Sequence, residues 1–263
     1  MNEYWQASDK RGEATTLDGG ARAVARLHAN TDQSATLAGV DGMIAALDNI
    51  VRASEDVGAI DDETLNWCFT EVEPHLRSAV WSIAGGFYPT ALSAMRRALN
   101  IGLLALELCL AEREAAMGAL TQPDGASGQS YVLSDFEAGT VGLSTVELIH
   151  GLAKRDQLRS CADSASVSFG DHVVLFDAQL GDLMRAHHLQ NGYGPPCFHP
   201  DGFDSSIEGI REVIGVIGAC WIGAIPGLTR VVRSTVTGDA DLDAVFVHPW
   251  PRRVLAAAKR VDD

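Results

Sequence analysis

A chain of 263 residues is long enough to bury one large core or two small ones, and its 46% apolar content argues against wholesale disorder. Against 35 Asp and Glu stand only 20 Lys and Arg, a formal charge of −15. Such a surface repels phosphate backbones and acidic lipid headgroups except where a local basic patch intervenes. The small Arg groups, Arg96 with Arg97, Arg230 with Arg233 and Arg252 with Arg253, read as solvated helix faces or ends.

The first 35 residues are polar and rich in Gly, Thr and Asp. A short helix over 20–29 is compatible with them but not required. Residues 36–57 place Leu37, Val40, Ile44, Leu47, Ile50 and Val51 at the three-and-four spacing of an amphipathic helix. Asp61-Asp62-Glu63 then opens a second helix, because acidic side chains favour the positive N-terminal end. It runs through Trp67, Val72, Leu76, Val80 and Ile83 to Gly85-Gly86, with a kink expected at Pro74. Pro89 suits the first turn of a third helix reaching about Leu120. Small residues at 84–86, 91, 94 and 98 predict a tight hairpin, with Ala91, Ala94 and Ala98 facing inward.

Residues 121–143, with Pro123 and four glycines, read as the longest internal break. Ser144 and Glu147 form a capping box for a fourth helix through Leu148 and Leu158, and Asp171 caps a fifth through Leu175 and Met184. Residues 191–204 read as a compact Gly/Pro-rich loop. Ser205-Ser206 with Glu208 then starts a sixth helix. Its segment 213–228 carries no charge, yet it is shorter than the roughly 20 residues a spanning helix needs. A central buried helix is expected there, ended or kinked by Pro226, and no membrane partner. Residues 235–263 thin into a polar tail, and alternation appears only at 243–248. The expectation is an all-α chain: a polar segment 1–35, a bundle of about six long helices over 36–234, and a tail.

Five cysteines, Cys68, Cys109, Cys161, Cys197 and Cys220, show no paired spacing. Cys68, Cys109 and Cys220 fall in apolar helical patterns and read as small buried hydrophobes in a reducing compartment. With no signal peptide visible, a cytoplasmic location is expected.

The run AGGFYPTALSAMRRALNIGLLALEL resembles the second helical hairpin of HEPN-like bacterial proteins, and LFDAQLGDLMRAHHLQNG resembles a later helix of that family. The resemblance extends over residues 60–230. It implies a helical bundle, dimerisation, and in many members metal-independent RNA cleavage in defence or toxin systems. The family's nuclease signature is an Arg followed four to six residues later by a His. Here Arg185-Ala-His187-His188 is shorter, and only Arg22 to His28 has the spacing. Arg185 and His188, three apart, still share a helix face. An Arg clamp on phosphate beside a His that moves a proton is the chemistry they offer.

Two further groups bear on chemistry. His187, His188, Cys197, His199 and Asp201 crowd one Pro-rich region and are donors of the kind zinc takes. The spacing matches no established zinc pattern, and a structured loop explains the same residues. Glu147 and His150 form a Glu-x-x-His pair on one helix face, half of a di-iron set that has no second copy here. The leading expectation is a non-catalytic, regulatory helical protein, homo-oligomeric or with a protein partner, in bacterial defence. A ribonuclease using Arg185 and His188 on RNA is the alternative. A zinc protein using the 187–201 loop is the second.

Overall fold

A computed structural model describes residues 21–22, 24–26, 29–56, 62–121, 178–186, 198–225 and 228. Those residues are 93% helical, with no strand among them, as an all-α fold requires. Four long helices organise them: α1 (Thr31–Asp56), α2 (Asp62–Ala84), α3 (Tyr88–Thr121) and α4 (Pro200–Ala224). Helical turns also occur within 21–29 and over 178–186. The helix expected from Ser144, the Glu147–His150 pair and the polar tail lie outside the described residues, and the helix expected from Asp171 is described only over 178–186.

Helix α1 begins five residues before the apolar periodicity does. The Asn30 side-chain oxygen accepts the backbone N–H groups of Asp32 (3.1 Å) and Gln33 (3.2 Å). These are two of the four donors a helix start leaves unpaired, so Asn30 is the N-cap. The expected stripe then faces inward, with Val40, Ile44, Leu47 and Ile50 all buried.

Helix α2 starts at Asp62 as the acidic run predicts and continues through Pro74. It ends in a Schellman motif. Gly86 takes φ 75°, a left-handed value that Cβ disfavours. The Gly86 N–H donates to the Ile83 carbonyl (3.1 Å) and the Phe87 N–H to the Ser82 carbonyl (2.7 Å). Gly85 is required for a different reason: a Cβ there falls 2.8 Å from the Phe87 ring. Phe87 then accepts the Ala91 N–H, and α3 begins at once, with Pro89 in its first turn. Ala91 and Ala98 are fully buried and Ala94 partly so, and α2 and α3 make the most extensive helix pairing among the described elements.

Helix α4 starts at Pro200 rather than near Ser205, so residues 200–204 are helix and not loop. Proline at the first helical position needs no N–H partner, and it pushes the preceding residue out of the helical region. His199 accordingly has φ −128° and ψ 122°. The other end obeys the same rule: Ile225, before Pro226, is extended at φ −107°, ψ 106°. Between them, every side chain from Val213 to Ile222 is buried. The reason is topological. Helix α4 packs on α3, α1 and α2 at once, and a helix covered on all sides has no polar face to keep. No helix of the described residues is long and apolar enough to cross a membrane.

Candidate functional site

Of the sequence-predicted site residues, Arg185, His199 and Asp201 are described, and they lie in two regions. Arg185 lies on the helical segment 178–186, which turns Leu180 into the core and packs Leu183 and Met184 against it. Arg185 takes the opposite, solvent side. Its side chain is 74% exposed and pairs with Asp182 one turn earlier. An exposed ion pair of this kind contributes little stability and leaves the guanidinium facing water. His187, His188 and Cys197 lie outside the described residues, as does His28.

His199 and Asp201 belong to the start of α4. The Tyr88 hydroxyl accepts the His199 backbone N–H and donates to its carbonyl, both at 3.1 Å. Its ring lies against Gly202, where a Cβ would sit 2.7 Å from it. This joint fixes the start of α4 onto the start of α3. The His199 and Asp201 side chains are left exposed, and His199 makes no side-chain cap. Asp201 sits in the first helical turn, where the aligned peptide dipoles favour a carboxylate. Among the described residues, no group of three or more His, Cys, Asp or Glu is placed to hold a metal ion. Beside the joint, the Phe198 ring packs at a 45° tilt against Phe203, centroids 5.7 Å apart, and the Arg26 guanidinium lies 5.2 Å over the Phe198 ring. Arg26 therefore serves as a cation–π contact to the residue before α4.

Two features escape sequence reasoning. The first is Trp81, 72% exposed, whereas the other large apolar side chains of the described residues are buried or partly so. Its signal was its position: it falls off the inward stripe Val72, Leu76, Val80, Ile83. The second is a cleft where all four long helices meet. It is narrow and is lined by apolar side chains, Gly102, Asp48 and Glu73. Asp48 Oδ2 accepts from Arg52 Nε at 3.1 Å. Glu73 accepts from Arg77 Nε at 2.7 Å, and that hydrogen bond raises the Arg77 pKa above its ordinary value. Arg77 also reaches Asp41 of α1 at 3.6 Å, tying α2 to α1 across the rim. Asp48 Oδ1 is buried with no hydrogen-bond partner among the described residues. No periodicity reveals such an orphan, because it depends on what three other helices bring to it.

No family model matches the chain, and neither a curated protein nor a solved structure is significantly similar to it.

Proposed function

We propose that the protein acts by binding another protein, either a second copy of itself or a partner chain, in a regulatory rather than catalytic role. The observation that carries this reading is the outer surface of the α2–α3 hairpin. From Pro74 to Leu106 the sequence holds no Asp or Glu, in a chain whose formal charge is −15. Its exposed side chains include Arg77, Ser78, Trp81, Thr90, Ser93, Arg96 and Arg97. Two acidic proteins repel one another least where carboxylates are missing. Tryptophan is also the side chain most enriched at the energetic centres of interfaces. A polyanion is a poorer occupant, since the rest of the chain is more acidic than its total charge indicates. The HEPN-like resemblance points to such a role in bacterial defence or toxin systems.

The test is photocrosslinking from position 81, with exposed position 52 as control, on the full chain in its host. The expected outcome is a discrete adduct, with the chain itself or one partner, seen from 81 and not from 52. Sedimentation of the purified chain then tells self-association from a heteromeric complex. Trp81→Glu should weaken either by about tenfold or more, with helicity unchanged, because an exposed Trp carries no core. Equal crosslinking from both positions sinks the proposal. Cleavage of single-stranded RNA in chelator, lost in His188→Ala, replaces it with the ribonuclease. Stoichiometric zinc lost in Cys197→Ser replaces it with the metal protein.

A further inference from the structure

The side chains on the outer surface of the α2–α3 hairpin restrict what that surface can hold. Arg77 and Trp81, four residues apart, share a face of α2, and Ser93 and Arg97 share a face of α3 in the same way. The chain turns at 85–87, so counting back along each arm puts Trp81 and Arg97 about 9 Å apart in height. Arg77 is already spent: its Nε lies 2.7 Å from Glu73 and its Nη1 3.6 Å from Asp41. Trp81 and Arg97 are not. Both are exposed. Among the described residues the Trp81 ring has no aromatic or cationic partner, its indole N–H has no acceptor, and Arg97 has no carboxylate. The exposed side chains nearest Trp81 in height, Ser78, Thr90 and Ser93, are small.

Binding strips water from whatever it covers, and a covered N–H or guanidinium without an acceptor is costly. The hairpin supplies no carboxylate of its own, since residues 74–106 contain none. The acceptors must therefore come from the partner. A second copy in a two-fold contact presents the same face, setting arginine against arginine and bringing no carboxylate. A basic partner repeats that mismatch. An acidic partner answers both Arg97 and the indole N–H, at the one stretch of this acidic chain that does not repel it. The ring of Trp81 asks in addition for an apolar side chain opposite it.

We infer, on the reading that this surface binds protein, that its partner is an acidic segment of a different protein. A large apolar side chain of that segment covers Trp81, and a carboxylate about three residues further along the extended chain reaches Arg97.

The experiment is fluorescence anisotropy of the full chain with three short labelled peptides. One consists of Asp and Glu with a Phe and a Leu, the second replaces its carboxylates by amides, and the third replaces its Phe and Leu by Ser. The first should bind with a dissociation constant on the order of 100 μM, and the other two about tenfold more weakly. Trp81→Ala and Arg97→Glu should each weaken the first peptide about tenfold, with helical circular dichroism retained. Arg52→Glu makes the same change in net charge on α1 and should cost about twofold or less. No binding of the first peptide at about ten times that concentration overturns the inference. Equal binding of the amide peptide overturns it too, and so do equal losses in Arg97→Glu and Arg52→Glu. The peptide series on the wild-type chain decides the question even where a variant fails to fold. Crosslinking from position 81 separates the two claims. A discrete adduct without peptide binding, or an adduct with the chain itself, keeps the protein-binding reading and overturns this one. Absence of any discrete adduct removes both.

Discussion

At the scale of single residues, burial governs chemistry more than residue type does. Cys220 shows it. It is fully buried on α4, and desolvation pushes its thiol well above the ordinary 9.0. A thiol held neutral is a poor nucleophile, so it serves as a small apolar group. The sign of its pH effect follows. In the unfolded chain the thiol ionises near pH 9, whereas in the folded chain it stays protonated. Stability from this group is therefore complete below pH 9 and is lost as pH rises above it, by up to about 1.4 kcal/mol per pH unit. Urea midpoints at pH 8 and pH 10 should fall more for wild type than for Cys220→Ala. Equal falls in the two proteins would contradict it. Peptide-level labelling of native protein should likewise leave Cys220 unmodified. Arg26 teaches the complementary lesson: a cation in a polar segment is spent on the face of Phe198.

At the scale of elements, helix ends follow local chemistry and helix courses follow packing. Asn30, the Gly86 left-handed turn and Pro200 each set a boundary through a specific backbone requirement. Pro74 runs the other way. It sits inside α2, where it cannot donate to the carbonyl one turn back, and it is exposed, so its ring buries nothing in exchange. Helix α2 nevertheless passes through it, held on both sides by buried contacts of Val72, Leu76 and Ala79. Pro74→Ala should then stabilise the fold, by about 1–3 kcal/mol given the helix propensities of the two residues. A higher urea midpoint at unchanged m-value is the expected result. A lower midpoint would mean that the Pro74 geometry is itself needed for the Arg77 bridge from Glu73 to Asp41.

At the scale of the whole molecule, charge is the dominant global property. A chain of −15 opposes its own association at long range, and salt screens that opposition within about 10 Å at 0.1 M. Self-association through the acid-free hairpin surface should therefore strengthen as sodium chloride rises from 0.05 to about 0.5 M. Binding to a polyanion or to an acidic partner should weaken over the same range. Sedimentation across that series distinguishes the two by the sign of the slope alone. The same global charge explains why an acid-free surface with a tryptophan stands out on this protein.

Much of the fold was legible because it is written in local terms. Period, glycine and proline placement and acidic starts are all properties of neighbouring residues. They suffice for the inward stripe of α1, the start of α2, the Gly85-Gly86 hairpin and the burial of the uncharged run in α4. The start of α4 was misplaced because Ser205-Ser206 imitates a cap, whereas Pro200 supplies the stronger constraint on the backbone. The candidate sites were hardly legible at all. Arg185 and His199 looked chemical in sequence, yet the first pairs with Asp182 in water and the second is held by its backbone to Tyr88. Asp48 belongs to none of the motifs read from the sequence. Only the convergence of α1, α2, α3 and α4 buries one of its oxygens beside Trp221. Sequence by itself determined the helical class and which faces turn inward, since these depend on contacts a few residues apart. Tertiary structure decided which polar groups are joined across the fold or stranded, as at Tyr88 with His199 and at Asp48 beside Trp221, since that depends on neighbours more than a hundred residues away.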